Sequence, residues 1–336
     1  MFRIITSWNF VQPEKDLEKA VSNIKLRGYA DKETFLTGQF AAKVANKEIR
    51  SLSVGDIADF LCPSRRDLYF KKGKNRMKTK SQKTWGGVAG RLVENFTLKV
   101  FSECQQSKNP WSYSKIKQRT GHLSRDFKKE NFHDFDSLNK LKSRPGEEPD
   151  WLLKSLTYSG RAELGLKLLH MALTDSEKKI SAMQMKDLEI STEKLKPHPE
   201  QIGISQPAKP DFLVEKCKIV GDIKSAIGGF KDYYFLTCAG YALAYENCKG
   251  RGNDIDFGII YFFPTRYTEY AKPISFGQVY LFPIDDGLRD WFLKTRNKAY
   301  DIISKDSPPD FPYEKGGNHC PFCHFRDTCV SQGLVL

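Results

Sequence analysis

Lys209-Pro210-Asp211-Phe212-Leu213-Val214-Glu215, then Lys216-Cys217-Lys218, then Ile219-Val220-Gly221-Asp222-Ile223-Lys224-Ser225, is the stretch on which the reading of the chain turns. Two short runs rich in β-branched and aromatic residues flank a polar turn, a pattern that predicts a β-hairpin. Side chains alternate faces along a strand, so Asp222 and Lys224 share a face while Ile223 points to the other. Antiparallel pairing brings Asp211, at the start of the first strand, opposite the Asp222 end of the second. Two carboxylates and an ammonium then meet at one spot. Hard oxygen ligands of this kind suit Mg²⁺ or Mn²⁺, which can polarise a phosphodiester and activate water. A neighbouring lysine can hold the attacking water or offset charge on the phosphate. The same residues also fit a surface hairpin with a solvated ion pair.

Working outward, Val88-Ala89-Gly90-Arg91-Leu92-Val93-Glu94-Asn95-Phe96 predicts a helix with Val88, Leu92, Phe96 and Val100 on its apolar side. Gly90 and Glu94 are four apart and stack on one side, the glycine leaving room for a strand or ligand. Glu94 reads either as a third metal ligand or as an ordinary exposed helical residue. On the far side of the hairpin, Asp232 to Glu246 predicts a helix whose small residues, Ala239, Gly240, Ala242 and Ala244, permit close packing on a sheet. Tyr241 and Tyr245 fall on one face of it, where they border the cleft and touch a nucleic-acid strand, Tyr241 above all, or pack in the core. Strands are expected at 186–191, 257–263 and 277–282, and further amphipathic helices at 153–173 and 288–303. Together these give an α/β class, a mixed sheet flanked by helices.

A net charge of +13 over 336 residues favours a polyanionic partner, DNA first. Nine of its cations, Arg65, Arg66, Lys71, Lys72, Lys74, Arg76, Lys78, Lys80 and Lys83, are crowded into one segment with a single acid, Asp67. Tyr69 and Phe70 lie among them, so the segment suits phosphates and base stacking, or is a solvated charge run. The longest strongly apolar run, 257–263, is far too short to span a bilayer. With no membrane partner and no signal-peptide core, a cytoplasmic protein with reduced or metal-bound cysteines is expected.

Three of the eight cysteines, Cys320, Cys323 and Cys329, follow C-x₂-C-x₅-C spacing, which signals metal or cluster ligation. Cys62, followed like Cys320 by a proline, is the best candidate fourth ligand, with His319 and His324 able to substitute. Spacing alone does not separate zinc from a 4Fe-4S cluster. His122 and His133 have no spaced partners and read as surface residues.

The Pro-Asp, then Asp-x-Lys pattern resembles the active-site hairpin of the PD-(D/E)xK nuclease superfamily. With one cysteine upstream and three downstream, the chain resembles the iron-sulfur subgroup of RecB-like nucleases. It is similar to the Cas4-like CRISPR-associated exonuclease family that trims DNA in spacer acquisition, in its archaeal type I-A form. The phrase Asp59-Phe60-Leu61-Cys62-Pro63-Ser64-Arg65-Arg66-Asp67-Leu68-Tyr69-Phe70 contributes most to that likeness. The resemblance implies a PD-(D/E)xK restriction-endonuclease-like core and a 4Fe-4S cluster held by Cys62, Cys320, Cys323 and Cys329. It implies Mg²⁺ or Mn²⁺ on Asp211, Asp222 and the Ile223 carbonyl, a catalytic Lys224, and DNA and the CRISPR integrase complex as partners. Two positions depart from the pattern: Glu94 stands where the family has histidine, and Thr237 where it has glutamine. The first change shifts metal preference, and the second opens the reading of a weak or partner-dependent nuclease. A repair or mobile-element nuclease, and a DNA-binding subunit with a structural zinc or cluster site, are the competing readings.

By region, the expectation is a helical appendage over 1–50, then a first cluster cysteine and active-site helix over 51–103. A basic helical insertion follows over 104–185, serving as a lid or groove. The nuclease core is placed at 186–305 and the C-terminal cysteine region at 306–336.

Overall fold

The computed structural model describes residues 4–7, 34–60, 62–74, 76–77, 84–106, 113–141, 189–226, 230–250, 252–264, 278–311, 320 and 323–333. The predicted hairpin forms: β3 (Phe212–Val214) pairs antiparallel with β4 (Ile219–Ala226), Phe212 opposite Gly221 and Val214 opposite Ile219. A single turn of 3₁₀-helix, Glu215–Cys217, joins them, and Lys218 at φ 53° reverses the chain. With β1 (Ile4–Ser7), β2 (Ile190–Ser191), β5 (Phe257–Pro264) and β6 (Gln278–Pro283) these strands make a six-stranded sheet ordered β1-β6-β5-β4-β3-β2. Only β4 and β5 run parallel, Ile219 beside Phe257 through Ala226 beside Pro264. Parallel neighbours need a crossover. It is α8 (Tyr234–Lys249), three residues longer at its end than the periodicity predicted.

Both faces of the sheet are covered. On one, α4 (Trp85–Gln106) packs Leu92, Phe96 and Phe101 against Phe212, Ile223 and Tyr261. On the other, α8 and α9 (Asp286–Ser304) set Leu236, Ala239 and Phe292 against Val220, Ile260 and Phe282. Each side chain so buried contributes roughly 1.5–3 kcal/mol. A sheet buried on both faces explains why 257–263 reads as a continuous apolar run rather than an alternating one.

Two of the expected regions carry features the sequence did not mark. The first fifty residues are not solely a helical appendage. Ile4–Ser7 is an edge strand paired with β6, Ile4 opposite Leu281, and only Gly38–Ala45 (α1) is an α-helix among their described residues. A four-residue β-branched strand is too short for its period to stand out. The insertion is a packing layer where it is described. In α5 (Tyr113–Glu130) and α6 (Phe132–Leu141), Phe127, Phe135 and Leu138 join the core of α4, which itself runs past the expected boundary to Gln106. The expected helix over 153–173 lies outside the described residues, as do His319 and Lys78, Lys80 and Lys83. No described helix is long and apolar enough to cross a membrane.

Candidate active site and cysteine cluster

β3 stops at Phe212, and among the described residues Asp222–Ala226 of β4 have no strand partner on that side. The Ile223 N–H left over donates instead to Asp211 Oδ2 at 2.5 Å. This fixes Asp211 beside Asp222, as the hairpin register predicts. Lys224 Nζ stands 2.7 Å from Asp222 Oδ2 and donates to Oδ1 at 3.0 Å. Oδ2 is buried without a hydrogen bond of proper geometry.

Glu94 reaches the same place from α4, over the unpaired edge of β4. The approach depends on Gly90, where a Cβ would lie 2.6 Å from Ser225 Oγ. Burial, then the charge of Asp222, raises the Glu94 carboxyl. Asp211 is held well above its ordinary value by burial first, then by Asp222 and Glu94. Three acids therefore crowd one another's fields. Burial alone would lower Lys224, but Asp222 and Asp211 outweigh it and keep it an ammonium. Tyr241 projects from α8 toward the same charges, and burial, then Asp222 and Asp211, hold it a neutral phenol. Tyr245, four residues on, is buried and titrates instead under burial and Glu215, away from this set.

A cleft of about 430 Å³ opens onto Lys224 and Ser225. Its far wall is α2 (Val54–Ala58) and α3 (Arg66–Lys72), with Asp59, Asp67 and Lys71, and its floor includes Tyr233, Tyr234 and Thr237. Sequence reading missed Asp59, Tyr233 and Tyr234. Tyr233 and Tyr234 belong to the predicted helix, but their ring-to-ring contact at 4.9 Å sits at its N-terminal mouth, a position periodicity does not mark.

The basic segment divides. Arg65 and Arg66, expected to meet DNA, are both buried, and Arg65 lines the cleft. Arg65 is buried, at φ 60°, and donates to the carbonyls of Ile57, at 3.0 Å, and Asp56. Arg66 is buried over the Phe311 ring and donates to Pro309 O and Gln332 Oε1. Both guanidinium groups are spent on holding segments together. Lys71 and Lys72 stay on the surface of α3 and pair with Asp56 at 2.7 and 2.9 Å. Burial opposes ionisation of Asp56, but hydrogen bonds from Lys71, Ser53 and Lys72 hold its carboxyl far below the usual range.

Arg66 also touches the cysteines. Phe70 and Phe325, 5.5 Å apart, form a small core that takes in Cys329, with Cys320 and Cys323 packed on it. Burial raises the Cys323 and Cys329 thiols; Cys323 also feels Cys62 and Cys329, and Cys329 feels Cys62 and Cys320, offset by Arg66. The four predicted cysteines, 62 and 320–329, therefore share one locus. The Phe325 N–H donates to Cys323 Sγ at 3.5 Å, closing a knuckle around the sulfur. Cys217 and Cys238 are buried elsewhere in the fold, and His324 is exposed. Among the described residues, no three His, Cys, Asp or Glu side chains are gathered closely enough to hold a metal ion as they are placed.

The donor sets nonetheless fit the groups the sequence implies. A buried carboxylate with a single ammonium beside it, next to two acids that burial and repulsion push above their ordinary values, suits a hard divalent cation. Three thiols around an aromatic pair, with Cys62 near two of them and an arginine beside one, suit a thiolate-bound cluster or zinc.

Acids and an ammonium converging at a cleft in a basic α/β chain make an apparatus suited to phosphodiesters. A model of the family described as CRISPR-associated exonuclease Csa1 matches residues 40–330, and the chain belongs to that family. No individually curated protein matches the chain.

Proposed function

We propose that this protein is a divalent-metal-dependent DNA exonuclease with a PD-(D/E)xK-type centre and a structural 4Fe-4S cluster, processing DNA ends in CRISPR spacer acquisition. The observation that carries this reading is the meeting of Asp211, Asp222, Glu94 and Lys224 at the open edge of β4, with Asp222 buried and a single ammonium beside it. Asp211, Asp222 and Glu94, with the Ile223 carbonyl, would hold Mg²⁺ or Mn²⁺. Such an ion supplies Lewis-acid activation of the phosphodiester and of a water.

The chain's own groups do the rest. Lys224 stays charged and offsets the negative charge that grows on the phosphate. Tyr241, kept a phenol, faces the acidic set as a neutral polar group and adds no charge to it. Asp211, locked to the Ile223 N–H, keeps the two aspartates in register. Lys71 at the cleft rim draws in the strand. Cys62, Cys320, Cys323 and Cys329 would hold the cluster and so tie the cleft wall of α3 to residues 320–329. The integrase complex is the partner such an end-processing step would serve.

The test is digestion of end-labelled single- and double-stranded DNA by anaerobically purified protein with Mg²⁺ or Mn²⁺. Asp222→Asn and Lys224→Ala should each lower the rate by roughly 10²–10⁴-fold. Undiminished cleavage by Asp222→Asn would remove the active-site assignment. Thr237, buried at the cleft, favours one second reading, a chain that needs its partner to position DNA. In that case the isolated protein binds DNA and cuts only when the partner is added.

A further inference from the structure

A second groove borders the C-terminal end of α3, next to the catalytic cleft. It is formed by residues 44, 45 and 47–51 at and after the end of α1, by residues 72–74 and 76 at and after the end of α3, and by Pro199 and Glu200 of α7 (Pro199–Ile202) with Ser205. It has a volume of about 830 Å³. Its walls present Lys47, Arg50, Lys72, Lys74 and Arg76 against two carboxylates, Glu48 and Glu200. Lys47, Arg50 and Arg76 are exposed, and among the described residues none of the three has an ion-pair partner. Lys72 and Lys74 are drawn to Asp56, at 2.9 Å, and to the exposed Asp306, at 2.8 Å.

One detail of the backbone concerns the same groove. Lys47 has φ 61° just past α1, in the left-handed region where glycine or asparagine is the usual choice. A lysine there accepts backbone strain to stand on the groove wall.

We propose that this groove binds the sugar-phosphate backbone of the DNA strand whose end lies in the cleft. The proposal rests on the nuclease reading above and adds the path of the strand beyond the reacting end. Continuity supports it. Lys71 lines the cleft and Lys72 the groove, neighbours on one helix, and both are pinned by the single buried carboxylate of Asp56. A strand leaving the cleft past Lys71 therefore crosses a short, cation-bearing ridge into the groove. Among the described residues the walls offer charges and no aromatic rings, so the groove reads phosphates without base preference.

The experiment measures binding of a labelled single strand of roughly 20 nucleotides to the full chain, without divalent metal, over a range of salt concentrations. For single strands each phosphate contact adds about 0.7 to the slope of log affinity against log salt. Replacing Lys47, Arg50, Lys74 and Arg76 with Gln should flatten the slope by about 3. It should also weaken binding on the order of a hundredfold at roughly 0.1 M salt. The pairs Lys47→Gln with Arg50→Gln, and Lys74→Gln with Arg76→Gln, lie on opposite walls and should each account for about half. This guards against misfolding of the quadruple variant. Lys140→Gln with Lys294→Gln, two exposed lysines on other helices, should leave the slope unchanged. A wild type that binds and cuts DNA, with its slope unaltered in both pair variants, overturns the groove proposal alone. A wild type with no salt-sensitive DNA binding overturns the groove and the nuclease reading together.

Discussion

Glu246 on α8 and Arg289 on α9 form an ion pair at 2.8 Å, with side chains only 4% and 1% exposed. Glu246 Oε1 also accepts from the Ile255 N–H at 3.1 Å, and Arg289 donates to the carbonyls of Ile255, at 2.8 Å, and Ile284. The pair thus joins both helices to the approach of β5. Glu246→Ala leaves a buried guanidinium without its countercharge, at a cost of about 3–5 kcal/mol. For 336 residues at about 2.1 cal/mol/K each, the unfolding entropy is about 0.7 kcal/mol/K, so Tm should fall by about 4–7 °C. Replacing both partners, Glu246→Leu with Arg289→Met, removes the orphaned charge and should recover most of that loss. Scanning calorimetry reads each variant directly. The pair lies at the end of α8 remote from Tyr233 and Tyr234, so DNA cleavage well below Tm should be retained in both variants. A single-variant shift under about 2 °C, or a double variant no better than the single, would refute the reasoning.

Gly90→Val drives a side chain into Ser225 across the α4–β4 contact, which should cost about 1–3 kcal/mol and pull Glu94 away from Asp222, seen as lower Tm and weaker metal-dependent cleavage. Burial and repulsion raise Asp211 and Glu94, so the folded metal-free protein holds protons the unfolded chain has lost. Its stability should therefore fall as pH rises from the unfolded values, 3.8 and 4.5, through the raised folded ones, and Mg²⁺ should oppose that fall. Tm against pH, with and without Mg²⁺, checks this, and Asp222→Asn should flatten the metal-free curve. Cys323→Ser should abolish the broad absorbance near ~400 nm of anaerobically purified protein, whereas a colourless wild type holding zinc would replace the cluster reading.

The hairpin was legible because its pattern is local: a β-branched strand, a polar turn, and carboxylates at fixed parity. Register then placed Asp211 beside Asp222 without knowledge of the fold. The flanking helix α8 was legible from its run of small residues, and α4 from a stripe with Gly90 and Glu94 on one side. What failed was non-local. Nothing within Phe2-Arg3-Ile4-Ile5-Thr6-Ser7 announces that its partner strand is β6, more than 270 residues away. Arg65 and Arg66 look like their basic neighbours, and only the carbonyls of residues 56, 57 and 309, which accept from them, set them apart. Asp59 and Tyr233 become cleft residues only when α2 meets the N-terminus of α8, an encounter that no short period encodes.

The far wall of the cleft is built early in the chain but fastened late. Tyr69 donates a hydrogen bond from its hydroxyl to the Asp306 carbonyl at 2.8 Å, and Arg66 grips Pro309 and Gln332. A nascent chain that has already exposed its acidic hairpin still lacks these fasteners, because they follow Lys224 by more than 80 residues. A product truncated between the two, carrying Asp211, Asp222 and Lys224, would be born with its cleft unwalled.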